Sequence, residues 1–172
     1  MRTLSLSLLC LLAIAPAALP LAVWLDLETA LRDADLIARV RVISVSPAPA
    51  DSGFKHIARV TVIDTAKGSK LGESVDLLSD NGLTCPNVLY AVGDDCIVFA
   101  KRRKNGHFET MNAYAGQFRV ENGSAEFYLP SRLSPPLWEH GSTEQILAEL
   151  KRKIPAAEIM ADLRRRLSNT SK

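Results

Sequence analysis

The stretch LIARVRVISV (36–45) alternates: Leu36, Ala38, Val40 and Val42 fall on one side of an extended chain, Arg39 and Arg41 on the other. A period of two with branched residues on one face describes a half-buried strand, since a helix would scatter these side chains around its circumference. KHIARVTVID (55–64) repeats the pattern with Ala58, Val60 and Val62 against Arg59 and Thr61. The turn-rich SPAPADSG separates the two, AKGSKLGE ends the second, and SVDLLS (74–79) makes a shorter third strand. DCIVFAKRRKNGHFETMN (95–112) predicts a hairpin in which Asn105-Gly106 supplies the positive-φ pair of a two-residue turn, and GQFRVENGSAEFYL (116–129) repeats it around Asn122-Gly123. Short strands punctuated in this way build a small barrel or a sandwich.

Helical spacing appears only at the two flanks. DLETALRDAD sets Leu27, Ala30, Leu31 and Ala34 on one face, with Asp26 placed to cap and Glu28 in the first turn. Beyond a linker at 131–141, Ser142 and Gln145 form a capping box ahead of an apolar stripe of Ile146, Leu147, Leu150 and Ile154. Pro155 breaks that helix and opens another carrying Ile159, Met160, Leu163 and Leu167. The expected division is a barrel domain over 23–130, a helical appendage over 142–167 and a frayed tail at 168–172.

The chain begins MRTLSLSLLCLLAIAPAALPLAVWLD, with no charge between Arg2 and Asp26 and small residues around Pro16 and Pro20. That is the pattern of a secretory signal peptide, here 1–22 with cleavage after Ala17, Ala18 or Ala22, and an uncleaved membrane anchor is the alternative; it implies export to a periplasmic or extracellular space with no stable membrane span after cleavage. Removing Arg2 from 21 basic residues leaves 20 against 19 acidic ones, a balance that gives no electrostatic case for a nucleic-acid partner. About 150 residues remain, enough for one domain with a real core. The clusters KRRK (101–104) and RRR (164–166) read as a solvated turn that protects a sheet edge and as cations at the end of a helix.

Two cysteines survive the leader, Cys85 and Cys96. Metal binding wants about four ligands at patterned spacing, and His56, His107 and His140 are scattered through separate segments. A catalytic thiol wants a neighbouring base, whereas Cys96 lies inside the apolar run CIVFA. A disulfide needs only proximity and an oxidising compartment, and closing a loop of this length is worth about 3 kcal/mol. A Cys85–Cys96 disulfide is the expected state. No cofactor is expected, and no G-x-S-x-G, H-E-x-x-H or phosphate-binding glycine loop points to an enzyme.

The runs DADLIARVRVISV, RVTVIDTAKG and LTCPNVLYAVGDDCIVFAKRRKNGHF, spanning about residues 26–120, together resemble the N-terminal domain of the tissue inhibitors of metalloproteinases. The shared pattern is a short helix leading into strand one, a Lys-Gly turn closing strand two, a cysteine-bearing connector, and a Val-Gly turn into an apolar strand. The resemblance implies a netrin-like fold with a small five-stranded OB-like closed barrel; with the helices read above, the chain is expected to be mainly β with a short N-terminal helix and two C-terminal helices. In that family an amino-terminal cysteine chelates the protease zinc, supported by the connector that Leu83, Thr84 and Cys85 match. This chain has no cysteine between its expected cleavage sites and Asp26, so the chelating group is missing. In the family the cysteine matching Cys85 bonds to the amino-terminal one, and a Cys85–Cys96 bond would be a local substitute.

The resulting expectation is an exported, non-enzymatic protein-binding module, with an atypical inhibitor as its narrower version. Loops 47–53 and 79–90 form its contact edge through Asp51, Ser52, Leu83, Thr84, Pro86 and Tyr90. The alternative is a structural or assembly protein of the cell envelope that self-associates through its helices.

Overall fold

A computed structural model describes residues 27–83, 87–126 and 153–170 of the chain. The expected leader, the linker and the first C-terminal helix up to residue 152 lie outside the described residues. Helix α1 spans Leu27–Asp33, and its apolar stripe is buried as the spacing requires, from Leu27 through Ala34. The Lys67 ammonium donates to the carbonyls of Leu31 and Arg32 at 3.0 Å, satisfying acceptors that the last turn of α1 leaves open.

Strands β1 (Leu36–Pro47), β2 (His56–Lys67), β3 (Ser74–Ser79), β4 (Asp95–Arg102) and β5 (Phe108–Thr110) follow in chain order. They hydrogen-bond in the order β1-β2-β3-β5-β4, and an antiparallel β1–β4 pairing from Leu36↔Ala100 to Arg41↔Asp95 closes the barrel. The β3–β5 pairing is parallel and the others antiparallel. The result is the expected small closed barrel, OB-like in its five strands. A 3₁₀ turn at Ala113–Gly116 returns the chain to the same edge of β4 as β6 (Gln117–Glu121), which continues into β7 (Ser124–Glu126) and β8 (Lys153–Pro155). Helix α2, Ala156–Thr170, completes the described structure. No helix among the described residues is long and apolar enough to cross a membrane.

The two faces of β1 and β4 serve two cores. Leu36, Ala38, Val40, Val42, Cys96, Val98 and Ala100 join Ala58, Val60, Val62 and Leu77 inside the barrel. Ile37, Ile97 and Phe99 alternate to the outside, where they pack with Leu27, Leu31, Phe118, Ile159, Met160 and Leu163. Burial on both faces explains why CIVFA is apolar at every position rather than alternating. The Arg164 guanidinium fastens α2 to β2, donating to Asp64 Oδ1 at 2.6 Å and to the Thr65 carbonyl at 3.0 Å. Arg165 and Arg166 both bind Asp162. The RRR cluster therefore docks and braces α2, and this helix is part of the core rather than an appendage.

Two local expectations are corrected. Ile154 is not on a helix; it lies in β8 opposite Ala125, where the free edge of β7 supplies backbone partners and the side chain reaches the second core. At Asn105-Gly106 only Gly106 takes positive φ (87°), with Gly106 N–H donating to the Arg103 carbonyl and Arg103 N–H to the His107 carbonyl. The loop is thus longer than two residues. Asn122 (51°) and Gly123 (79°) do form the expected pair, between Glu121 and Ser124.

Candidate functional site

The described residues of the connector between β3 and β4, 80–83 and 87–94, are anchored to the barrel. Its residues are held from below by Val88 and Tyr90, whose side chains enter the barrel core. The Tyr90 and Thr110 hydroxyls meet at 2.6 Å, Tyr90 N–H donates to Ser79 Oγ, and burial pushes the phenol well above its ordinary pKa. From the side, Asn87 acts as a bracket: its Oδ1 accepts from Asn81 N–H at 3.0 Å, and its Nδ2 donates to Asp80 Oδ1 and to the Leu83 carbonyl, each at 3.0 Å. Asp80 takes φ of 57°, and its carboxylate also accepts from Gly82 N–H. The Asn87 amide, then the Gly82 N–H and Lys55, hold the Asp80 carboxyl below the usual carboxylate range against a smaller opposing effect of burial.

The connector ends in a turn at Ala91–Asp94 in which the Asp94 carboxylate accepts from Ala91 N–H at 2.8 Å. That turn is bonded to β1 through Val42 N–H to the Asp94 carbonyl and Gly93 N–H to the Val42 carbonyl. The register of β1 against β2 slips between Val42 and Ser44, making Ile43 a bulge residue. Four large apolar side chains consequently stay in solvent on this framework: Leu83 (59%), Leu89 (55%), Val92 (67%) and Ile43 (52%).

The chain matches no protein-family model, no curated protein and no solved structure. The connector is therefore described by its own geometry.

That geometry revises the expected contact set. Leu83 and Asp51 are exposed; Thr84 and Pro86 lie outside the described residues. Ser52 is buried, with its Oγ accepting from Phe54 N–H at 3.1 Å in a local turn, and Tyr90 is buried with its hydroxyl engaged. Neither offers surface to a partner, because each is used to hold its loop. Leu89, Val92 and Ile43 take their place. The only sequence signal for them was apolar residues inside a turn-rich segment, and the Ile43 bulge depends on pairing with a distant strand.

The expected Cys85–Cys96 disulfide is absent at its Cys96 end: Cys96 is a free, fully buried thiol facing the barrel core, with Gln117 Nε2 at 3.6 Å from its sulfur. Cys85 lies outside the described residues. Burial pushes the Cys96 thiol up to about 11, with smaller opposing help from Gln117. Few thiolates exist at neutral pH, so iodoacetamide at pH 8 is expected to leave Cys96 unmodified in the native protein and to alkylate it fully in denaturant. Peptide mass mapping reads both states, and rapid native alkylation would refute the placement.

The charged clusters are internally paired. Arg39 grips Asp95 with two bonds, at 2.8 and 2.7 Å, and Arg41 reaches the same carboxylate at 3.3 Å. Arg59 holds Asp76 in the same two-bond manner and is chiefly responsible for keeping that carboxyl below its ordinary range. In the KRRK segment, Lys101 faces Asp33, Arg102 covers the Phe108 ring at 4.4 Å, and Arg103 joins Glu109 at 2.6 Å while lying over Phe54. His56 and His107 each face one aspartate, Asp80 and Asp76, in separate pairs. Among the described residues no three potential ligands converge on a metal position.

Proposed function

We propose that this protein is an exported, non-enzymatic protein-binding module that meets its partner through the β3–β4 connector and the adjoining Ile43 bulge. One observation carries the reading: Leu83, Leu89, Val92 and Ile43 are more than half exposed on backbone fixed by the Asn87 bracket and the Ala91–Asp94 turn. Large apolar groups exposed along one braced segment offer apolar contact to a partner, and holding them rigid reduces the ordering entropy that binding must overcome. The leader sequence supports export, and the resemblance to the tissue inhibitors of metalloproteinases supports the choice of this edge. An inhibitor lacking the chelating cysteine is the narrower form of the same reading.

The test places a photo-crosslinking amino acid at Val92 of the full chain and, as a control, at Leu71, which is 72% exposed in the β2–β3 turn. In envelope or secreted extracts we expect one crosslinked species from position 92, lost on Leu89→Asp and absent from position 71. Equal labelling from both positions, or none from 92, would remove the connector from the contact surface.

A further inference from the structure

The backbone beside the apolar knuckle is as informative as its side chains. On β1, Ser44 and Ser46 stand opposite Arg59 and Ile57 of β2, and the Ala48 N–H donates to the Lys55 carbonyl. Alternation along an antiparallel strand then turns the N–H and C=O of Val45 away from β2, toward the edge on which β4 lies. β4 pairs with β1 only as far as Arg41↔Asp95, and the turn adds the two Val42 bonds before the chain leaves. Among the described residues no backbone hydrogen bond occupies the Val45 edge. Pro47 has no N–H and ends the edge, so an added strand has one register available, centred on Val45.

Charge indicates what that strand carries. Three guanidiniums flank the turn and share two carboxylates: Asp95 is already held in two bonds by Arg39 before Arg41 reaches it at 3.3 Å, and Arg119 meets Asp94 at 3.5 Å. Arg41 and Arg119 are each more than half exposed and keep unused donors. Building on the connector reading above, we infer that the partner binds by adding an extended segment to the Val45 edge of β1, with acidic side chains toward Arg41 and Arg119 and apolar ones against Ile43 and Val92. The mode is strand addition, in which backbone bonds give affinity and alternate side chains give selectivity.

The experiment titrates the full-length protein, labelled for amide NMR, with the capped peptide Glu-Val-Glu-Ile-Glu-Val and with its counterpart in which lysine replaces glutamate. The acidic peptide is expected to shift the Ile43, Val45 and Val92 amides and to bind about tenfold more tightly than the basic one. Methylating alternate backbone nitrogens of the acidic peptide is expected to abolish the shifts, and Arg41→Glu with Arg119→Glu to reverse the charge preference. Equal binding of both peptides, no binding, shifts mapping elsewhere, indifference to N-methylation, or peptide-independent shifts that grow with protein concentration would each overturn the inference. A partner crosslinked from Val92 whose yield survives the double charge reversal would overturn the inference of an acidic segment and leave the connector reading standing.

Discussion

Replacing Phe99 with alanine is expected to lower the free energy of unfolding by about 3–5 kcal/mol, as measured by urea denaturation. The ring is fully buried between the barrel wall and the two helices, packed in one cluster with Leu27, Ile37, Ile97, Met160 and Leu163. It also meets Phe118 edge to face, with ring centres 6.0 Å apart and planes at 76°. Such aromatic pairs contribute about 0.5–1.5 kcal/mol beyond the area they bury. Neighbours drawn from α1, β1, β4, β6 and α2 cannot all collapse into the space left by the ring, so the cavity adds to the transfer loss. Because barrel and helices share this core, the variant is expected to unfold in one transition at lower urea. Separate transitions for helix and barrel would show that α2 is an appendage after all. Leu71→Ala, at an exposed position, is the control and should stay within about 0.5 kcal/mol of the parent.

Gly68→Ala is the second large effect. Gly68 takes φ of 82°, and a Cβ there would fall 1.7 Å from the Asp35 carbonyl oxygen and 2.8 Å from its carbon. Both are backbone atoms at the junction of α1 and β1, the residue that donates its N–H to the Ala100 carbonyl and accepts Arg102 N–H on its carboxylate. The clash cannot be relieved by turning a side chain; the end of β2 must move off the junction and take the Lys67 cap with it. Left-handed strain and overpacking together put the loss at about 3 kcal/mol or more. Gly72 has nearly the same φ, 78°, with nothing within 4 Å of its Cβ position. Gly72→Ala should therefore cost only the conformational part, about 1–2 kcal/mol. Thermal unfolding of the pair separates the two causes, and equal losses would mean that the Asp35 contact does not form.

Much of the fold was legible because its signals are local. The alternation in 36–42 and 58–62 identified strands and their buried faces, SVDLLS coincides with β3, and the spacing of Leu27, Ala30, Leu31 and Ala34 defined α1. Pro155 correctly marked the start of a helix. Ile154 was misread because a single apolar residue fits either period; the open edge of β7 decided it. Tyr90 and Ser52 fall in the two loops expected to form the contact edge, yet loops closing a small barrel must spend some side chains inward to stay in place. Cys96 was assigned to a disulfide from compartment and spacing. Which way its side chain faces on β4 follows from pairing with β1 and β6.

The candidate site was less legible than the fold. Sequence singled out the connector and Leu83, but the exposed edge also needs Ile43, fifty residues from its neighbours in the turn, and that proximity comes from the bonds joining Val42 to Gly93 and Asp94. The pairing of Arg39 and Arg41 with Asp95 likewise joins segments 54 residues and more apart.

By itself the amino-acid order determined most of the strands, the faces that β1 and β2 turn into the barrel and where most turns fall, since side-chain period and glycine or asparagine conformations act over a few residues. Tertiary structure alone decided that β1 closes on β4, that β3 meets β5 in parallel, that α2 shares a core with the barrel, and that Ile43 stands beside the connector. Those outcomes depend on which distant surfaces bury each other best, a property of the whole chain that no short window contains.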